Sequence, residues 1–309
     1  MRVIIVGLGV QGYKRLKYAG GDVIATVDPV NPEADYRFLQ DVPLTHYDAA
    51  LLCIPDKPKI ELLTYLLTNG KHTLTEKPLW SGKDQEISDL EVLARDNNVV
   101  CYTAYNHRFE PHFVKMRNLI RSGNLGEIYS CRMFYGNGTA RLVRDSAWRD
   151  EGAGVLPDLG SHLLDTAVFW FGDINNQFEV LSAHCFENNA PDHVVIGSKG
   201  ANLRIELEMT FLMWRNHFTC DILAEKGSAH ISSLCKWGPT TFVKRFRVLP
   251  SGLPEEEVET LQLPDPTWKL EYEYFTALCD GGHITDLSSD LWLQRTLHGM
   301  SKDVIRMAS

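Results

Sequence analysis

The chain lacks any excess of positive charge. Its 31 lysine and arginine residues are outnumbered by 40 aspartate and glutamate residues, which gives a formal net charge of -9 at pH 7. A protein that binds nucleic acid by neutralising phosphates needs a clustered basic surface, and this composition does not favour one. We therefore expect a small-molecule ligand and no nucleic-acid partner.

The chain also lacks long apolar runs and paired cysteines. No uninterrupted apolar run reaches the roughly 18 residues of a membrane span, and the first residues lead into a short apolar segment without a signal-peptide cleavage site. The seven cysteines are scattered, and no C-x-x-C pair suggests a zinc site or a disulfide framework. These absences predict a cytoplasmic protein with no membrane partner and no bound metal.

The first third of the chain alternates β-branched runs with segments of helical periodicity. Such alternation requires parallel strands joined by right-handed crossovers. We therefore predict an α/β domain over residues 1–120, with a Rossmann-type, doubly wound parallel sheet that binds a dinucleotide. Its predicted strands cover residues 3–6, 23–28, 49–54, 71–75 and 99–105.

Beyond about residue 120 the apolar residues recur with period two. Leu203, Ile205 and Leu207 alternate with charged residues, as in a strand whose two faces differ chemically. We predict an α+β domain over residues 121–309 for substrate binding and oligomerisation, with a mostly antiparallel open sheet and helices on one face. A terminal helix near residues 293–304 could return to the first domain. Further strands are predicted near residues 127–135, 178–186, 191–197, 218–222 and 227–232.

A glycine-rich turn, GLGVQG, directly follows the first predicted strand. Gly7 permits a tight turn, Gly9 lets backbone N–H groups approach a pyrophosphate, and Gly12 allows the next helix to pack closely on the strand. Val10 and Gln11 complete the predicted cofactor-binding turn. The alternative is a glycine turn with a purely structural role.

Asp28 supports the dinucleotide interpretation. It lies 21 residues after Gly7, at the end of the second strand, where a carboxylate can accept hydrogen bonds from the adenosine ribose. A carboxylate there repels a 2′-phosphate, and no arginine follows it directly, so we expect NAD in preference to NADP. Arg37 is close enough in sequence to leave the choice open.

Three segments of chemical interest follow predicted strands, at residues 54–56, 75–80 and 105–108. Ligands of a doubly wound sheet bind beyond the carboxyl ends of its strands. Ile54 and Pro55 are therefore candidates for cofactor binding.

In the second of these segments, TEKPLW, Lys77 is aimed toward a nicotinamide cleft and Pro78 restricts the backbone that carries it. The ammonium could lie where an alcohol oxygen becomes a carbonyl, or the reverse. The alternative is a surface lysine at a turn. Glu76, also assigned to the cofactor site, is either a salt-bridge partner or an anchor behind the lysine.

A second constellation lies in the segment GAGVLPDLGSHLLD. Asp158 and His162 have i, i+4 spacing, so in an α-helix they share one face. A carboxylate beside an imidazole can orient it and raise its basicity, which suits proton transfer from a hydroxyl as hydride leaves the same carbon. The alternative is an ordinary pair on a helix surface.

Seven motifs occur in an order that resembles the glucose-fructose oxidoreductase, inositol dehydrogenase and related oxidoreductase family (Gfo/Idh/MocA). The resemblance runs from residue 1 to about residue 172. It implies Lys77, Asp158 and His162 as the active-site set, and a cis peptide between Lys77 and Pro78. The motifs are GLGVQG, CIP, GKHTLTEKPLW, YNHRFEP, GEI, WRDEGAG and DLGSHLLD.

The same resemblance implies further ligand-binding residues. Trp148 and Arg149 would approach the nicotinamide end from the second domain, although Trp148 is equally well explained by core packing. Tyr105, Asn106 and Arg108 would line the pocket, with Asn106 toward the cofactor and the other two toward the substrate. Lys77, Asp158 and His162 would also contact the substrate.

The leading interpretation is an NAD(P)-dependent oxidoreductase. It would transfer hydride between nicotinamide and a secondary alcohol or ketone of a carbohydrate-like substrate, such as a sugar, a cyclitol or a nucleotide-linked or phosphorylated derivative. Either Lys77 or His162 can serve as the base. The alternatives are a non-catalytic dinucleotide-binding sensor and a redox-neutral enzyme with tightly held NAD. An open sheet with an apolar face also predicts a homodimer or homotetramer, as the resemblance does.

Overall fold

The computed structural model describes residues 1–146, 149–174, 177–199 and 203–308. The chain forms two compact units. The first comprises Met1–Asn106 and Thr267–Gln294, and the second comprises the described residues of His107–Pro266 and Arg295–Ser309.

The strands and helices are numbered in chain order. The strands are β1 (Val3–Val6), β2 (Val23–Val27), β3 (Ala49–Leu52), β4 (His72–Glu76), β5 (Cys101–Ala104), β6 (Ile128–Gly136), β7 (Gln177–His184), β8 (His193–Lys199), β9 (Arg204–Thr210), β10 (His217–Ala224), β11 (Gly227–Ser232), β12 (Thr240–Phe246) and β13 (Glu256–Leu261). The helices are α1 (Val10–Ala19), α2 (Lys59–Thr68), α3 (Asp84–Asp96), α4 (Pro111–Arg121), α5 (Ala140–Arg144), α6 (Ser161–Phe171), α7 (Thr267–Asp280) and α8 (Ser288–Ala308).

The first unit contains a parallel sheet with strand order β2-β1-β3-β4-β5. Every residue of β1, β3 and β5 is buried, as expected for strands covered on both faces. One face packs against α2 and α3 through residues such as Leu63 and Leu90. The other packs against residues that include Phe275 of α7. The predicted doubly wound sheet is confirmed.

The order of the strands defines where a ligand would bind on this sheet. The chain starts at β1, with β2 on one side and β3 on the other, so the connections leave in opposite directions. A crevice opens at such a switch point, beyond the carboxyl ends of β1 and β3. Between β2 and β3 the chain forms the short 3-10 turns Leu39–Asp41 and Leu44–His46 in place of a crossover α-helix.

The second unit contains a sheet with strand order β13-β12-β11-β10-β6-β9-β8-β7. Neighbouring strands are antiparallel apart from β6 and β9, which run parallel. Beside the sheet, α4 and α6 pack together, and the indole N–H of Trp170 donates to the Phe113 carbonyl at 3.0 Å. The predicted mostly antiparallel sheet with helices is confirmed.

Two strands of this sheet, β12 and β13, and two helices, α5 and α7, were not predicted. All the residues of β13 are exposed or half-exposed, so the strand has no apolar alternation. It is joined to β12 partly by cross-strand ion pairs, Lys244 with Glu257 and Arg245 with Glu256. Helix α7 was also missed, although it supplies core residues to the first unit.

The first unit ends earlier than the predicted boundary near residue 120. Helix α4 belongs to the second unit because it packs against α6 and β12. The segment from Thr267 to Gln294 belongs to the first unit, although it is far from the rest of that unit in sequence. In the part of the chain that the structure describes, no helix combines the length and hydropathy needed to cross a bilayer.

Candidate functional site

The turn after β1 requires glycine at two positions for steric reasons. Gly7 has a φ of 93°, and a Cβ atom there would lie 2.4 Å from the Cys53 carbonyl oxygen. A Cβ atom at Gly12 would lie 2.0 Å from the Gly7 carbonyl oxygen. These glycines allow α1 and the segment after β3 to approach the turn closely. Ile54 is part of this contact, since its Cγ2 atom would be 2.9 Å from a Cβ at Gly7.

Gly9 differs from the other two glycines. A Cβ atom at Gly9 would meet no described atom within 4 Å. Gly9 is the N-cap of α1, no described side chain caps it, and no acidic residue lies in the first turn. Val10 and Gln11 are exposed. The first N–H groups of α1 thus have no side-chain cap at the positive end of the helix dipole, an arrangement that fits the pyrophosphate of a dinucleotide.

Asp28 braces this turn through its carboxylate. Oδ2 accepts a hydrogen bond from the Leu8 N–H at 2.7 Å. Oδ1 accepts from the N–H groups of Val30 and Asn31, both at 2.8 Å. Burial acts to raise the pKa of Asp28, but these donors outweigh it and hold the pKa below its ordinary value. The carboxylate is therefore charged at neutral pH and joins the glycine-rich turn to the segment after β2.

Further carboxylates lie near the end of β2. Asp35 accepts hydrogen bonds from the N–H and hydroxyl of Thr26, and Glu33 accepts one from the Tyr13 hydroxyl. Arg37, which left the choice between NAD and NADP open, is exposed. The surroundings of Asp28 are therefore acidic.

Lys77 follows β4 at the same edge of the sheet as the glycine-rich turn, because β1 and β4 run in the same direction. The side chain is half-buried, and the Lys77–Pro78 peptide is cis, as the family resemblance implies. Pro55, in the loop after β3, is exposed.

Glu76 is engaged by a buried arginine. Its Oε1 accepts from Nε and Nη2 of Arg15, at 3.1 and 2.8 Å, while Nη1 of Arg15 donates to Glu271 at 2.6 Å. Arg15 is 2% exposed, and its guanidinium lies 4.4 Å from the ring centroid of Trp268. Burial acts to lower the pKa of Arg15, but the charges of Glu271 and Glu76 outweigh it and raise the pKa. Glu76 is therefore a salt-bridge partner, one of its two predicted roles, and the partner is Arg15.

The segment after β5 contributes buried residues to both units. Tyr105 and Asn106 belong to the first unit, where the Asn106 amide donates to the Thr267 hydroxyl at 2.8 Å. Arg108 belongs to the second, where its guanidinium pairs with the buried carboxylate of Asp165 through Nε and Nη2. The observed contacts of Asn106 and Arg108 therefore hold α7 and α6, respectively.

His162 lies in the first turn of α6 and is 8% exposed. Its ring stacks on His107, with centroids 4.2 Å apart and an interplanar angle of 22°. The rings of Tyr135 and His162 form a T-shaped pair with centroids 6.0 Å apart. Nε2 of His107 lies 3.0 Å from Nζ of Lys236, so an ammonium is linked to the stacked imidazole pair.

Asp158 does not continue the α-helix that carries His162. Residues Leu156–Gly160 form a π-helical turn, and α6 begins at Ser161. Backbone hydrogen bonds in a π-turn close over five residues, so this turn is wider than the α-helix that the spacing of Asp158 and His162 predicted. Arg149 donates to Asp158 at 3.3 Å. Burial, with the charge of Asp158 as a second cause, raises the pKa of Tyr135.

The structure therefore brings several predicted residues together within each unit. In the first unit the three glycines, Asp28 and Ile54 meet around the turn after β1, and Lys77 follows at the same edge. In the second unit Arg149 pairs with Asp158. Trp148 lies outside the described residues.

Sequence reasoning missed the surroundings of His162. His107 lies in the quoted motif YNHRFEP, but it was given no role, and no local pattern pointed to Lys236 or Trp237. Trp237 stacks on Tyr135 at 5.5 Å. Within the described ranges, no group of three or more His, Cys, Asp or Glu residues is arranged to hold a metal ion.

Comparison with known proteins identifies the second unit most directly. The model of the GFO/IDH/MocA C-terminal domain matches residues 113–230. An uncharacterized oxidoreductase of Schizosaccharomyces pombe is 32% identical over 133 residues, covering 41% of this chain and 35% of the yeast protein. Levoglucosan dehydrogenase of Pseudarthrobacter phenanthrenivorans is 28% identical over 157 residues, covering 49% of this chain and 40% of that protein. The matched stretches thus span less than half of either relative.

The fold is shared over the whole chain. A solved structure of levoglucosan dehydrogenase in complex with NADH superimposes with a TM-score of 0.82 at 17% identity, covering 100% of this chain and 98% of that one. Residues 113–230 thus match the GFO/IDH/MocA C-terminal domain, and the resemblance to this oxidoreductase family that the sequence predicts is confirmed.

Proposed function

We propose that the protein is an NAD(P)-dependent dehydrogenase acting on a secondary alcohol of a sugar, cyclitol or sugar derivative. One observation carries this proposal: Lys77 and the glycine-rich turn at Gly9 lie at the same edge of one parallel sheet. The turn suits a dinucleotide phosphate, and the lysine supplies a positive charge for a reacting oxygen. The relatives named as oxidoreductases and as levoglucosan dehydrogenase support the same reaction class.

The cofactor that fits the turn is a nicotinamide dinucleotide. The N–H groups at the start of α1 would hold its pyrophosphate, and Asp28 would face its adenosine ribose. Bound in this way, the nicotinamide supplies the acceptor of a hydride at its C4 atom. The NADH in the levoglucosan dehydrogenase structure supports this choice. The acidic surroundings of Asp28 favour NAD over NADP.

The chain's own residues manage the charge and the proton of the reaction. In the oxidative direction the substrate carbon loses a hydride and its hydroxyl loses a proton, leaving a ketone. Lys77 would bind and polarise the oxygen, and His162 would accept the proton. Asp158 would orient His162 or a neighbouring hydroxyl group through its charge. Hydrogen-bonded charges that stabilise a developing oxyanion are among the largest contributions in enzyme catalysis.

The proposal is tested by following NADH absorbance with purified protein, NAD and a panel of sugars, inositols, uronic acids, anhydrosugars and sugar nucleotides. We expect NADH to form with at least one of them. Binding of NAD without any turnover would contradict the dehydrogenase and favour the sensor. Product without net NADH, detected by chromatography, would instead indicate the redox-neutral enzyme.

The contrast between Gly9 and Gly12 gives a matched pair of variants. Gly9→Ala should fold with an unchanged Tm, because its Cβ meets no described atom within 4 Å. It should weaken NADH binding at least about tenfold, since the methyl group would occupy the space of the pyrophosphate. Gly12→Ala should instead cost about 3 kcal/mol of stability or more, because its Cβ would overlap the Gly7 carbonyl. Differential scanning fluorimetry measures Tm, and NADH fluorescence titration measures affinity. Unaltered NADH affinity in Gly9→Ala would contradict the proposed pyrophosphate site at the start of α1.

Removing the charge of Asp28 should change cofactor preference. We expect Asp28→Asn to shift the ratio of kcat/KM for NAD to that for NADP roughly tenfold toward NADP, corresponding to about 1.4 kcal/mol. The physical reason is weaker repulsion of the 2′-phosphate. Asp41→Asn, an exposed position in the following turn, is the control. An unchanged ratio would show that the ribose is recognised elsewhere.

A further inference from the structure

A buried lysine lies against the turn that carries Lys77. Lys59 is the first residue of α2 and is 1% exposed. Its Nζ donates to Oδ1 of Asp56 at 2.6 Å, and to the carbonyl oxygens of Glu76 and Pro78, each at 2.9 Å. An ammonium has three N–H donors, so these contacts account for all of them.

Helix stability does not explain a lysine at this position. A cation at the start of a helix is opposed by the helix dipole. Burial of an ammonium is also costly unless its charge and hydrogen bonds are compensated. The carboxylate partner, Asp56, is 48% exposed, so its charge is partly screened by solvent. What the position provides is a donor to two carbonyl groups of another segment.

Those two carbonyl groups lie on either side of Lys77. Glu76 precedes it and Pro78 follows it, so one ammonium fixes both ends of a three-residue segment. The same segment is held a second time through the Glu76 carboxylate, which pairs with the buried Arg15. The backbone that carries Lys77 is therefore fastened both by its main chain and by a neighbouring side chain.

We infer that Lys59 is a positioning residue for Lys77, fixing the Glu76–Pro78 segment so that the Lys77 ammonium is presented in one place. The inference rests on the proposed function, in which Lys77 holds the reacting oxygen. A displacement of about 1 Å at a reacting group can cost about a hundredfold in rate. Lys59 therefore affects turnover without touching the substrate.

The kinetic test uses Lys59→Met, which keeps the length of the side chain but removes its donors. We expect kcat to fall about a hundredfold, with the Kd for NADH within about twofold of the wild-type value. Asp56→Asn is the matched control, because it removes the carboxylate charge and leaves both carbonyl contacts. It should keep kcat within about threefold of wild type. An equal loss in both variants would overturn the inference, since the ion pair alone would then carry the effect.

A double variant separates positioning from general support of the fold. If Lys59 acts through Lys77, Lys59→Met combined with Lys77→Ala should be about as slow as Lys77→Ala alone. A merely structural lysine would reduce the rate of Lys77→Ala by the same factor as that of the wild type. If the loss in the double variant is the product of the two single losses, the inference is overturned.

Hydrogen–deuterium exchange provides a measurement that does not depend on turnover. Deuterium uptake in a peptide covering residues 74–82 should rise in Lys59→Met and remain unchanged in Asp56→Asn. Unchanged deuterium uptake in Lys59→Met would overturn the positioning role of Lys59 even if the protein is an active dehydrogenase. If uptake rises in Lys59→Met but the wild type turns over no substrate, the proposed function is refuted. Fixation of the Glu76–Pro78 segment by Lys59 is then still supported. If Lys59→Met does not fold, Lys59→Leu, which also removes the donors, is measured in its place.

Discussion

Replacement of Lys77 by alanine is expected to lower kcat/KM about a thousandfold while leaving the Kd for NADH within about twofold. The ammonium would stabilise negative charge on the substrate oxygen, and no other group at the end of β4 is placed to replace it in our proposal. In the proposal the cofactor pyrophosphate is held by backbone N–H groups at the start of α1, a different segment from the one that carries Lys77. The affinity of the protein for NADH should therefore be unchanged in Lys77→Ala.

Steady-state kinetics and NADH fluorescence titration measure the two quantities separately. Lys17→Ala is a suitable control, because Lys17 is an exposed lysine of the same unit, in the last turn of α1. Turnover in Lys77→Ala within about tenfold of wild type would remove the lysine from the mechanism. A parallel loss of NADH binding would point to a cofactor role.

The second large effect is expected at His162. His162→Gln should lower kcat about a hundredfold to ten-thousandfold, which is the usual contribution of a positioned general base. Glutamine retains hydrogen-bonding capacity but cannot accept the proton. The limb of the pH–rate profile that reports deprotonation of the base should also disappear.

The measurement is kcat as a function of pH for wild type, His162→Gln and the exposed-site control His46→Gln. A profile that keeps both its limbs and its height in His162→Gln would show that Lys77 is the base. Loss of the limb together with a lowered kcat would assign the proton transfer to His162. The stacked ring of His107 makes the first turn of α6 sensitive to substitution, so Tm is measured beside the kinetics.

Local signals were sufficient to predict the first sheet and its glycine-rich turn. Strands such as β1 and β3 are buried on both faces, so they appear in the sequence as short apolar runs. Gly12 is required by its contact with Gly7, five residues earlier, and the spacing of the motif predicts that contact. Gly7 is also required by the close approach of Cys53, just after β3.

Other features depend on contacts that no local pattern reveals. Arg15 and Lys59 are charged residues at positions that look like helix surface, and their burial depends on carboxylates and carbonyl groups contributed by distant segments. The strand β13 is held by ion pairs and hydrogen bonds rather than by an apolar face. The π-turn at Leu156–Gly160 was also not predicted, because the period of the apolar residues does not distinguish it from an α-helix.

The route of the chain through the first unit has a consequence for synthesis. Arg15 and Glu271 form one buried pair although 256 positions separate them, and Phe275 fills a core that begins at Val3. Nascent chains usually fold domain by domain from the N-terminus as they leave the ribosome. Here Arg15 gains its second carboxylate, that of Glu271, only after α7 has been synthesised. The first unit is therefore completed only after α7 has been synthesised, and until then an apolar sheet face is exposed that a chaperone could cover.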